Sequence, residues 1–262
     1  MIQFNINRFG KLARWSLTND RKYHVKTFFQ TLVIMILVFL FLTTASVKFN
    51  QQDVNYRACA IATIILFVST FILGSSFMFY SMDRKHDMQA LLLLPASNFE
   101  KYLMRYMSWV LLIPLYVVAT VAADLVQYVF GLVVSHEEVR FVIPATMEML
   151  GKVWSQVPAE KHHIVVIGLL LLFLWFQSVY ALGATFFRTN KYNWIPTTAI
   201  VIVLFLLLVW LSPDRGKIEL LKNDTASDIV INVIYAVWVV LNFWLSYRLF
   251  CRRQVIGRFV NV

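Results

Sequence analysis

The sequence predicts an all-α, polytopic membrane protein. It has six transmembrane helices, an interfacial amphipathic helix ahead of the first, and a short cytoplasmic helix between the second and third. Three observations predict this. The chain of 262 residues is 60% hydrophobic, with only 8 glycines and 6 prolines to interrupt it. Six apolar runs recur, at Phe28–Val47, Ala58–Ser81, Met107–Val134, Ile164–Phe187, Trp194–Leu211 and Ile229–Phe250. Each is close to the length of about 20 residues that a helix needs to cross the hydrocarbon core. Lipid offers the backbone no hydrogen bonds, so each run must be a helix or a barrel strand, and continuous rather than alternating hydrophobicity excludes the barrel. Finally, with the N-terminus inside, 16 of the 24 Lys and Arg residues fall in inner segments, the bias that marks the cytoplasmic face. Four acidic residues lie inside, nine outside, and Asp124 within a span. Both termini are therefore expected inside. The net charge of +10 follows from this bias and from contact with anionic lipid, and needs no nucleic acid.

The elements follow in order. Residues 1–26 form the interfacial segment. Within residues 4–17, Phe9, Leu12, Ala13, Ser16 and Leu17 share one helical face, while Arg8, Lys11 and Arg14 lie on another, which is the pattern of a helix with its cations toward lipid headgroups. Thr43-Thr44-Ala45 has the small residues of a cleavage site, but 27 residues with six basic groups precede Phe28, so the first span is expected to be retained. A short external loop, Lys48–Arg57, makes a hairpin of the first two spans. The third span contains Pro114, expected to kink it. The long external segment Ser135–His163 can hold a small helix, since Ala145, Met149 and Val153 recur between Pro144 and Pro158. Arg188–Asn193 is a very short inner loop, and Ser212–Asp228 a mixed-charge outer one.

Absences exclude much chemistry. The chain has no G-x-x-x-x-G-K-[ST] to cradle nucleotide phosphates and no G-x-S-x-G elbow. His136-Glu137-Glu138-Val139-Arg140 lacks the second histidine of a zinc site. Near the inner face only Asp83 and Asp87 could serve headgroup chemistry, and they read equally as solvated charges. Neither catalysis nor a cofactor or metal is expected. Cys59 and Cys251 lie near opposite faces, roughly 30 Å apart, too far for a disulfide. His162-His163 reads as an interfacial cap, and Trp15, Trp109, Trp154, Trp194 and Tyr192 fit aromatic belts. Asp124 is costly inside a span and either lines a translocation path, or is a packing group that bonds a neighbouring span or lies near the outer interface. Gln177, with Ser178 and Asn242, reads first as an interhelical hydrogen-bond partner, and a place on the same path is its alternative.

The most informative stretch joins the second and third spans. It carries Asp83, Arg84, Lys85, His86 and Asp87, then four leucines, Leu91, Leu92, Leu93 and Leu94, and stops at Pro95. Ser97 and Glu100 have the spacing of a capping box, which starts a new helix. Four leucines cannot span a bilayer, and on the water side they are costly to expose unless another protein covers them. Leu94, Pro95, Ala96, Ser97, Glu100 and Lys101 match the pattern L-P-A-S-x-x-E-K. With this topology, the segment resembles the permease subunits of ABC exporters of the second type. The resemblance spans the whole chain in topology but about ten residues in motif. It implies a single permease domain over residues 1–262 in a bacterial inner membrane, a coupling helix seated in a groove on a separate ATPase subunit, and pairing with a second permease. It also implies that the N-terminal helix is a connecting element. Arg84, Lys85, Asp87, Leu91, Leu92, Leu93, Leu94 and Glu100 are the expected partner-binding residues. The alternative is a six-span scaffold that docks a soluble regulator. No large external domain or fused ATPase is present, which leaves the substrate undefined.

Overall fold

The structure, a computed structural model, describes residues 4–49, 52–80, 85–134, 139–187, 192–211 and 225–252. Among these residues the chain is all-helical, with no strand. The helices are α1 (Ile6–Asn19), α2 (Arg21–Phe49), α3 (Gln52–Gly74), α4 (Lys85–Leu93), α5 (Asn98–Met107), α6 (Leu112–Val134), α7 (Val142–Ser155), α8 (His162–Phe186), α9 (Trp194–Leu211) and α10 (Thr225–Cys251). Five helical stretches are long and apolar enough to cross a membrane: Arg21–Lys48, Tyr56–Phe77, Asn98–Val134, Ala159–Phe186 and Asp228–Cys251. This is the make-up of a multi-pass membrane protein. The expected fifth span is the helix α9, whose apolar stretch Trp194–Leu207 is shorter than the other five. Large apolar side chains are exposed along these helices, Phe41 at 71% and Phe205 at 64% among them, as lipid requires of the outer surface.

Several helices, α2, α3, α8 and α10, start earlier than the apolar runs. Arg21, Lys22 and Lys26 belong to the first turns of α2, because a hydropathy boundary marks the lipid edge while backbone hydrogen bonding continues past it. The expected irregularity at Pro114 takes the form of a 3₁₀ turn, Ser108–Leu111, immediately ahead of α6. Proline has no N–H for the carbonyl four residues back and crowds it, so that turn cannot close as regular α-helix.

The chain divides into two compact units. One comprises residues 1–16, 72–109 and 159–262. Its frame is α8 against α10. The inward face of α8 is small and polar, with Gln177, Ser178, Ala181, Ala184 and Thr185 buried. Asn242 of α10 donates to Ser178 Oγ at 3.0 Å, and Ser246 Oγ donates to the Ala181 carbonyl at 3.1 Å. Small residues let the backbones approach, and polar side chains join them, which is how helices associate where water cannot drive them together. Gly183 is needed at the α8–α9 crossing, because a Cβ there would collide with Thr197. An apolar cluster of Leu12, Phe79, Leu91, Tyr102, Met104 and Phe250 completes the core.

The second unit comprises residues 17–71 and 110–158. In it α2 packs along α6, with Met35, Phe39, Cys59, Tyr116, Ala123 and Val142 buried together. Tyr116 donates its hydroxyl to the Thr63 carbonyl at 2.9 Å. That bond ties α6 to α3.

Candidate functional site: the α4–α5 corner

The corner is built by the residues of the L-P-A-S-x-x-E-K segment. Helix α4 ends at Leu93, and Leu94–Ala96 turn with Ala96 N–H donating to the Leu94 carbonyl at 2.8 Å. Pro95 cannot continue a helix. Ser97 then sits in extended backbone (φ −66°, ψ 152°) and caps α5. Both halves of the capping box are formed: Glu100 N–H donates to Ser97 Oγ at 3.2 Å, and Ser97 N–H donates to Glu100 Oε2 at 2.7 Å. Two free amides at the start of α5 are thereby satisfied.

Glu100 does more than cap. Its carboxylate also accepts Asn5 N–H at 2.8 Å and a forked pair from Arg8, Nε to Oε2 at 2.9 Å and Nη2 to Oε1 at 2.7 Å. Glu100 has no exposed surface. The bond to Glu100 raises the Arg8 pKa from its ordinary value. Asn5 in turn caps α1, its side-chain oxygen accepting Asn7 N–H at 2.9 Å. One carboxylate therefore fastens the start of α5 to the start of α1. The next residue fastens α4: Lys101 Nζ donates to the Leu92 carbonyl at 2.7 Å, at the end of that helix, where a cation suits the free carbonyls. Deeper in α5, Arg105 is fully buried with its guanidinium over the Trp15 ring of α1, 5.8 Å from the centroid.

The four leucines divide by direction. Leu91 is completely buried in the apolar cluster, Leu92 and Leu94 pack partly against it, and Leu93 is 83% exposed. Gln89, Ala90 and Pro95 are exposed beside it. Asp87 is half-buried, Lys85 opens α4, and Arg84 lies outside the described residues. Of the residues expected to bind a partner, Leu91 and Glu100 are buried and serve the interior.

Arg8 is the residue that the sequence assigned differently. Its expected place was the lipid headgroups, but it takes the carboxylate of a residue 92 positions away. The sequence signal for this is faint. A capping-box glutamate uses one oxygen on the backbone and keeps lone pairs for a second donor.

The other two expected site residues belong to α6 and α8. Asp124 of α6 is buried and accepts Val142 N–H at 2.7 Å and Ile143 N–H at 3.0 Å, so that it caps α7. Gln177 is fully buried in the face that α8 turns to its own unit, and its backbone carbonyl accepts Ser75 Oγ at 2.9 Å. No protein-family model matches the chain, and no curated protein or solved structure is significantly similar to it.

Proposed function

We propose that the chain is the membrane-spanning permease subunit of an ATP-driven exporter of the second ABC type, acting beside a second permease copy or homologue. In this reading six spans cross a bacterial inner membrane, both termini are cytoplasmic, α1 lies in the inner interface, and α4 is the coupling helix. The chain catalyses nothing itself. A separate ATPase holds the nucleotide, and its nucleotide state favours one of two permease conformations. The observation that carries the proposal is the split within α4: Leu91 is buried beneath it while Leu93 stands exposed above. A braced short helix with one large apolar side chain outward is suited to enter a groove. Its brace leads somewhere useful, since Lys101 holds it to α5, the opening of the stretch Asn98–Val134.

Burying a leucine is worth about 1.5–3 kcal/mol, and each decade of affinity is about 1.4 kcal/mol. Leu93→Glu should therefore weaken the ATPase association by at least one decade and remove permease-stimulated hydrolysis, with membrane insertion unchanged. Leu91→Ala should lower thermal stability in detergent instead. Purification from native membranes under mild detergent, with identification of the co-purifying proteins, supplies the readout. Full partner retention and full stimulated turnover by Leu93→Glu would sink the proposal.

A further inference from the structure

We propose that α7 is a second membrane-binding element, an in-plane helix whose apolar face lies in the bilayer interface beside the C-terminal half of α6. This rests on contacts within the second unit and on the chain length to the next membrane-length stretch, and is independent of the coupling reading.

The height of the α7 start is fixed by four contacts. Val139 packs on Gly131, its Cγ1 2.8 Å from where a Cβ would stand. Arg140 N–H donates to Tyr56 Oη at 2.8 Å, Phe141 stacks on Tyr128 with centroids 4.4 Å apart, and Asp124 takes the first two amides of α7. After α6 ends at Val134 the chain therefore runs back along it, from the level of Gly131 to that of Asp124. On α3 the corresponding level is Tyr56 to Cys59, since Cys59 and Val142 share one buried cluster. There the apolar stretch of α3 gives way to Arg57, Asn55 and Asp53. Judged along α3, the helix thus begins at the boundary between the apolar and polar zones.

Its end is held near the same boundary by chain length. Ser155 precedes Ala159, the start of the next membrane-length stretch, by four residues, a reach of at most about 14 Å. A 14-residue helix is about 21 Å long, too short to cross. With both ends at one surface, it lies along that surface.

The side chains fit that placement. Met147, Leu150, Val153 and Trp154 form an apolar stripe that the protein leaves uncovered, at 66, 47, 57 and 39% exposure. The opposite face carries the exposed Glu148–Lys152 pair at 2.6 Å. One apolar face, one charged face and an aromatic residue near the end are the features of an interfacial helix.

The test uses single cysteines at Leu150 and at Glu148 in a Cys251→Ser background, because Cys251 is the exposed native thiol and Cys59 is buried. Each is labelled with an environment-sensitive fluorophore and reconstituted in vesicles of phosphatidylethanolamine and phosphatidylglycerol. The label at 150 should be blue-shifted and quenched several-fold more by brominated lipid than by aqueous iodide, and the label at 148 the reverse. Should the cysteine at 150 disturb folding, Met147, which is more exposed, takes its place. Equal iodide quenching at both positions overturns the proposal, because the stripe then faces water. Shielding of the 150 label from both quenchers, with cross-linking to another chain, overturns it too and makes α7 a protein interface.

Discussion

At the residue scale, two carboxylates hold this chain together by taking backbone amides. Glu100 accepts two of them, from Asn5 and Ser97, and adds the forked Arg8. A buried carboxylate with all its lone pairs used is stable as long as every donor stays. Arg8→Ala removes the cation paired with Glu100 and should lower the melting temperature in detergent. Arg8→Lys should recover part of it, because an ammonium cannot supply the fork. Equal melting of Arg8→Ala and the native chain would show that the pair is incidental. Asp124 accepts two amides from α7. Asp124→Leu strands both amides, and hydrogen bonds to a charged group are worth about 1.5–3 kcal/mol each, so a loss of about 3 kcal/mol or more is expected. Asp124→Asn keeps one acceptor oxygen and should lose about half of that. If Asp124→Leu instead leaves thermal stability untouched and reduces transport, the residue belongs to a path rather than to the α7 cap.

At the element scale, what was legible and what was not divides by range. Long apolar runs announce the membrane-length helices because lipid demands internally satisfied backbone over a fixed thickness. The end of α4 and the start of α5 were legible in Pro95, Ser97 and Glu100, since caps and stops are encoded within about four residues. A helix between the third and fourth apolar runs was legible in Ala145, Met149 and Val153, though its bounds were not. Illegible were the bonds between distant residues, Arg8 to Glu100 and Asp124 to Val142, whose partners no local pattern joins. The direction of each leucine of α4 was also hidden. Consecutive leucines carry no periodicity, and only the packing partner of Leu91 sorts them. Close approach between helices was equally silent, although it makes a sharp expectation. Gly183→Ala should destabilise the α8–α9 crossing by collision with Thr197. Thr197→Ala should be nearly tolerated alone and should restore part of the stability in the double variant, a coupling that a double-mutant cycle measures. Additive losses would mean that the two helices do not meet there.

At the scale of the whole molecule, the side on which the chain ends turns on α9. It has 18 residues, about 27 Å of helix against a hydrocarbon core of about 30 Å. Its exposed side chains, Ile200, Ile202, Val203, Leu204 and Phe205, point to every side, which suits lipid and not water. If α9 crosses, the termini share a face; if it does not, they lie on opposite faces. The charges flanking α10 favour the crossing. Arg248, Arg252, Arg253 and Arg258 cluster at one end, whereas Lys222 at the other is accompanied by Asp224 and Asp228, and the cationic end of a span belongs inside. Arg248 already lies over Trp244 at 4.8 Å, as an interfacial cation and aromatic do. Single cysteines placed at Asn50, Lys222, Lys85 and Arg253 decide the matter in intact cells, and of these only Lys85 lies within the described residues. An impermeant thiol reagent should reach positions 50 and 222 and spare 85 and 253. Labelling at 253 with protection at 222 would leave α9 on one side of the membrane and reduce the spans to five. Labelling at 85 would invert the chain and place the α4–α5 corner where no ATPase could meet it.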